Sequence, residues 1–160
     1  MPSSLSVTEL FKIAKLRVCG PVPWGKKVPE NKPGVYVIAV VSRPRSHCGS
    51  RKISYLPADI AVRWIARQPV IYIGRTTSSL SRRVGQFYRQ EYGKKSPHRG
   101  GQAVRLLKCD LWVYWSPSDN PFVAEDKMIE RFREKVGSLP FANRMRSARV
   151  RGRPKKNVDK

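Results

Sequence analysis

The sequence predicts an α/β fold of the α+β kind, a small central sheet flanked by helices. Three runs rich in β-branched and aromatic residues read as strands: 34–41 (GVYVIAVV), 69–74 (PVIYIG) and 110–116 (DLWVYWS). The segments around them carry apolar residues at helical spacing instead. A length of 160 residues suits one domain with a real core and little to spare.

Taken in order, a first helix is expected over 6–18, where Ser6 followed by Glu9 makes a capping box and Leu10, Ile13 and Ala14 mark the apolar side. Residues 19–34, dense in Pro, Gly and Lys, read as a loop. The run 34–41 is apolar on both faces and so belongs at the centre of the sheet. Residues 42–56 are polar and irregular, and 57–68 carry Ile60, Ala61, Trp64 and Ile65 at helical spacing after a Pro and an Asp. Pro69 opens the second strand, where a missing N–H is tolerated. Leu80, Val84, Phe87 and Tyr88 stand at i, i+4, i+7 and i+8 of a helix beginning near Ser79. A loop over 93–101, a short helix over 102–108 and the third strand follow. Asn120 then Pro121 is a cap followed by a first-turn proline, opening a last helix that ends near Gly137. After Asn143 the chain becomes a basic tail too polar to pack. The expected division is an N-terminal helix and basic loop over 1–32, a main domain over 33–144 with an insert at about 42–68, and a disordered basic tail over 145–160.

Thirty-three Lys and Arg against 11 Asp and Glu give a net charge of +22, with a pI near 10.8 and a mean hydropathy of −0.49. Such an excess repels itself unless a polyanion is the usual partner. Nucleic acid fits, through phosphate neutralisation and counterion release, and double-stranded DNA is the partner expected. An anionic membrane surface fits less well, because the basic segments lack a large apolar face. No apolar run approaches the roughly 20 residues that span a bilayer. No secretory signal pattern opens the chain. Cys19, Cys48 and Cys109 are scattered without CxxC spacing, which favours free thiols in a reducing compartment. The expectation is a protein that is not secreted, cytoplasmic, and nucleoid-associated if prokaryotic.

One carboxylate stands out by position. Glu125, Ile129, Phe132 and Val136 fall at i, i+4, i+7 and i+11 of the last helix, which puts Glu125 on the core-facing stripe. An unpaired charge there is unfavourable, so Glu125 calls for a metal or for one of the many arginines. Asp126, Glu130 and Glu134 lie nearer the polar side. On the helix after Ser79, Arg82 projects opposite the apolar stripe, whereas Arg83 lies on its flank, where a planar guanidinium can clamp a phosphate. Tyr36 and Tyr72 are the polar points of two neighbouring strands.

Gly34-Val35-Tyr36 and Tyr72-Ile73-Gly74 together resemble the two halves of the GIY-YIG nuclease signature. The resemblance covers about residues 33–144 and implies the order β-β-α-α-β-α around a three-stranded sheet. YIGRTTSSLSRRV is similar to the family's stretch from the second tripeptide to its helical arginine, which gives Arg83 the catalytic-arginine position. AEDKMIERF is similar to the segment whose glutamate binds metal, here Glu125. Asn143, in LPFANR, resembles the asparagine that follows that helix. By this resemblance Glu125 would hold one Mg²⁺ or Mn²⁺, Arg83 would neutralise phosphate charge, and either Tyr36 or Tyr72 would orient or deprotonate the attacking water. A free tyrosine pKa near 10 is too high for a neutral-pH base, so neighbouring cations such as Arg75 would have to lower it.

Tyr36 and Tyr72 stand 36 positions apart, and the insert between them is similar to that of the restriction-enzyme-like branch. Members of that branch can carry a histidine one turn beyond the arginine; Phe87 stands there instead, and His98 is the nearest substitute in sequence. RGRPKK, 151–156, resembles an AT-hook, in which Arg151 and Arg153 would lie in a narrow minor groove; a basic arm without base preference fits the same residues. Nucleic-acid contacts are expected from Arg75, Arg82, His98, Arg99, Arg151 and Arg153.

The function expected is therefore a metal-dependent DNA endonuclease. The alternatives are a non-catalytic DNA- or RNA-binding protein on the same scaffold, and a repair or mobile-element nuclease targeted by a partner. One active site per chain implies that a double-strand cut takes a homodimer on DNA or two successive nicks.

Overall fold

The computed structural model describes residues 4–41, 62–65, 68–89, 99–107 and 110–143. In chain order its elements are α1 (Val7–Ile13), β1 (Cys19–Pro23), β2 (Gly34–Val40), β3 (Val70–Thr76), α2 (Leu80–Tyr88), α3 (Arg99–Leu106), β4 (Leu111–Pro117) and α4 (Pro121–Val136). All four strands join one antiparallel sheet in the order β1-β4-β2-β3.

The continuous apolar run of β2 has a direct cause. Tyr36 and Ile38 face one core, with Leu80, Val84 and Phe87 of α2 and Ala103 and Val104 of α3. Val35 and Val37 face another, with Leu10 and Phe11 of α1 and Met128, Ile129 and Phe132 of α4. Helices therefore cover both sides of the sheet, and β2 must be apolar on alternate residues of both faces. As expected, it lies inside the sheet, between β4 and β3.

The sheet has four strands where three were expected. The additional one, β1, lies in the stretch read as loop and pairs with β4 through Cys19↔Trp115 and Val22↔Val113. Its Pro and Gly content signalled a turn. Edge strands, however, tolerate proline because one row of N–H groups has no ladder to join, and β1 is an edge. The Cys19 thiol is free.

Two helical expectations also change. The capping box of α1 is present, with Ser6 Oγ accepting from Glu9 N at 3.2 Å and Glu9 Oε2 accepting from Ser6 N at 3.1 Å. The helix ends at Ile13, however, and Lys15 adopts a left-handed φ of 55°. Two turns bury Leu10 and Phe11 and leave Ile13 45 % exposed. The helix expected over 57–68 falls largely outside the described residues; those within it, 62–65, form a turn and irregular chain.

The caps of α4 agree with the sequence. Asn120 accepts from Val123 N, Pro121 occupies the first turn, and Gly137 closes the helix at φ 95°. Beyond it the chain returns to the free edge of β3, where Ala142 N donates to Ile71 O at 2.8 Å. That edge is thereby covered. Among the described residues no helix is long and apolar enough to cross a membrane.

Candidate functional site

Strand register assembles the site. Tyr36 pairs with Gly74, and Ile38 with Tyr72, so the two tyrosines are diagonal neighbours on one face, their ring centroids 5.8 Å apart. Both glycines of the tripeptides are required by close approach. A Cβ on Gly74 would meet Tyr36 Cζ and Tyr72 Cε1 at 2.6 Å each, and one on Gly34 would strike the Ser116 carbonyl and come within 2.9 Å of Leu80 Cδ1.

Phe87 holds the pair from α2. Its ring lies 4.5 Å from that of Tyr72 and 5.7 Å from that of Tyr36, and it is fully buried. One turn earlier, half-buried Arg83 reaches the same cluster and acts electrostatically on Tyr36, Tyr72 and Glu125. Arg82 points to solvent. The backbone at the start of α2 is closed: Leu80 N donates to Lys32 O at 3.1 Å, Ser81 N to Glu30 O at 2.7 Å and Arg82 N to Ser79 Oγ at 3.3 Å. Any anion at this site is therefore met by side chains and not by the helix N-terminus.

Glu125 arrives from the first turns of α4. Arg75 Nε lies 3.4 Å from its Oε1, with side-chain exposures of 27 % for Arg75 and 12 % for Glu125. The Arg75 guanidinium is seated 4.6 Å above the Phe122 ring. Desolvation still dominates at Glu125, pushing its carboxyl up to about 7 despite the nearby Arg75 and Arg83. Asp126, expected nearer the polar side, is buried at 8 % exposure, and its charge raises Glu125 further. Helical projection registers one packed side only, whereas the start of α4 is enclosed beyond it.

The tyrosines behave differently from a preformed base. Burial raises the Tyr36 hydroxyl, with Arg83 opposing, and raises Tyr72 more strongly, with Tyr36 and Glu125 adding to the shift. Both are held protonated at neutral pH. The Tyr36 hydroxyl is sealed from solvent, with Arg83 and the Tyr72 hydroxyl as its polar neighbours.

Asn143 is brought to β3 but turned onto its backbone. Its Oδ1 accepts from Ile73 N at 2.9 Å and its Nδ2 donates to Ile73 O at 2.8 Å. With both amide atoms committed, Asn143 fixes the strand between Tyr72 and Gly74 and acts as a positioning residue. Arg99 is the first residue of α3. His98, Arg151 and Arg153 lie outside the described residues.

Four site features escaped sequence reading: Phe87 as the wedge under both tyrosines, Phe122 as the seat of Arg75, buried Asp126, and Trp24. The Trp24 ring stands edge-on to Tyr88 at 4.7 Å and to Phe87 at 5.8 Å. A tryptophan in a stretch otherwise of Pro, Gly and Lys was the available signal of an anchored segment.

No protein-family model, curated protein or solved structure matches the chain.

Proposed function

We propose that this chain is a metal-dependent DNA endonuclease of the GIY-YIG type, hydrolysing phosphodiester bonds at a centre made of Tyr36, Tyr72, Arg83 and Glu125. The observation that carries this reading is the convergence of four polar groups from β2, β3, α2 and α4 on one partly buried spot, beside a carboxylate raised to about 7. A buried acid, an inward arginine and two hydroxyls are the groups phosphate hydrolysis needs.

Glu125 fits a metal ligand by its chemistry. Its raised pKa marks a carboxylate whose desolvation outweighs the nearby Arg75 and Arg83, with Arg75 Nε 3.4 Å from its Oε1. One carboxylate suits Mg²⁺ or Mn²⁺, which keep several waters and take few protein ligands. When bound, such an ion supplies Lewis-acid polarisation of the phosphate. Arg83 neutralises the charge that builds on the phosphate oxygens. The protonated hydroxyl of half-buried Tyr72 holds and orients the attacking water, and that of Tyr36, sealed behind it, steadies Tyr72. Asn143, through Ile73, keeps Tyr72 and Gly74 in register.

One observation favours a second reading, a DNA- or RNA-binding scaffold without catalysis: Glu125 is already paired with Arg75 and mostly shielded. Supercoiled plasmid incubated with Mg²⁺ or Mn²⁺, against an EDTA control, separates the two. Relaxed or linear product in metal alone supports the nuclease; retarded but intact plasmid in every metal supports the scaffold.

A further inference from the structure

Residues 24–33 form a strap along α2, held at both ends. At the C-terminal end of the helix, the Tyr88 hydroxyl donates to Lys26 O at 2.7 Å and Trp24 packs against Tyr88 and Phe87. In the middle Val28 is buried. At the N-terminal end, Glu30 O and Lys32 O accept from Ser81 N and Leu80 N. The strap thus runs antiparallel to the helix, and backbone atoms with apolar anchors hold it there, so its lysine side chains take no part in the attachment.

Those side chains face outward. Lys26, Lys27 and Lys32 are exposed, as are Arg82 on the helix and Arg89 at its C-cap, and none of the five pairs with a described acid. Strap and helix together, 24–33 and 79–89, carry six Lys and Arg against one acid, Glu30, whose Oε1 is turned back onto Lys32 N. The surface pairs on α4 differ, since Arg131, Arg133 and Lys135 meet Glu134, Glu130 and Glu9. Arg82 and Arg89, seven positions apart, share a helix face at about 10 Å along the axis.

We infer that the strap and α2 together form a track for the sugar–phosphate backbone of one strand of duplex DNA, leading to Arg83. A B-DNA strand carries a phosphate every ~3.4 Å of axis, so the ~13.5 Å of a nine-residue helix laid along that axis matches about four phosphates. The inference rests on the nuclease reading for its substrate, but its test does not need cleavage.

The test is duplex affinity by fluorescence anisotropy in EDTA across a salt series. The triple variant Lys26→Gln/Lys27→Gln/Lys32→Gln is compared with Lys12→Gln/Lys15→Gln/Lys127→Gln, which removes equal charge from exposed sites on and beside α1 and on α4. The strap variant is expected to lower the slope of log K against log salt by about 2.7, three phosphates at about 0.9 each, and the second variant by less than about 1. Equal falls would overturn the track and leave only net charge; an unchanged strap slope would overturn it outright. Should the strap variant melt early, Arg82→Gln/Arg89→Gln probes the same surface, with an expected fall of about 1.8. A lowered slope in a protein that cuts no plasmid would keep the track and remove the nuclease.

Discussion

Gly74→Ala is the smallest perturbation that reaches the centre of the site. The added Cβ meets Tyr36 Cζ and Tyr72 Cε1 at 2.6 Å and Tyr36 Oη at 2.7 Å, where ordinary contact begins at 3.4 Å. Each ring must recede by about 0.8 Å (3.4 − 2.6). Neither is a flexible side-chain end, and both are backed by Phe87 at 4.5 and 5.7 Å. Overpacking of this kind costs about 1–3 kcal/mol, or about 2–12 °C in melting temperature for a domain of this size. Both hydroxyls move by a large fraction of an ångström, so cleavage should fall about 100-fold. Gly85→Ala is the control: its Cβ would meet only Arg89 Nη1, at 3.8 Å, and alanine in a helix should raise stability by about 0.5–1 kcal/mol. Thermal melts and single-turnover cleavage of a labelled duplex read both effects. Gly74→Ala melting within a degree of wild type, with an unchanged rate, would refute the register and the crowding that make this glycine necessary.

Two further outcomes follow from the site. Glu125 is raised from 4.5 to about 7 in the folded protein, so without metal the folded state holds a proton that the unfolded state releases. Glu125's own contribution to stability should be largest below about pH 4.5 and be lost as pH rises through 7, by at most about 3 kcal/mol; Glu125→Gln should remove that component of the pH dependence in denaturant titrations in EDTA, and an unaltered pH dependence would show that Glu125 titrates normally. Asn143→Ala leaves Ile73 N–H and C=O unpaired at a buried edge, at about 1–3 kcal/mol for each group; Asn143→Asp keeps the acceptor for Ile73 N but sets a charged oxygen against Ile73 O, so it should recover little, whereas Asn143→Ala melting within a degree of wild type would deny the paired hydrogen bonds.

Much of this molecule is legible in its sequence where one physical signal dominates. The β-branched runs of β2 and β3, the stripe Leu80–Val84–Phe87 and the Asn120–Pro121 start each point one way, and each lies where expected. The inward Arg83 and the solvated Arg82 follow from spacing alone. What escaped depends on partners distant in sequence. β1 looks like a loop because its prolines are acceptable only once β4 makes it an edge. The seat of Arg75 on Phe122 joins residues 47 positions apart, and Asn143 meets a strand 70 positions back. Asp126 was misplaced because helical projection sees one buried side. The protonation of the tyrosines likewise depends on how thoroughly they are covered, which spacing does not report.

The most direct measurement is single-turnover cleavage of duplex DNA by wild type, Glu125→Ala and Arg83→Ala in Mg²⁺, with duplex affinity of each measured in EDTA. The expected result is cleavage by wild type alone, lowered by several orders of magnitude in both variants, with Glu125→Ala binding DNA at least as tightly as wild type because a negative charge is gone. Cleavage by Glu125→Ala at the wild-type rate would contradict a hydrolytic centre built on that carboxylate.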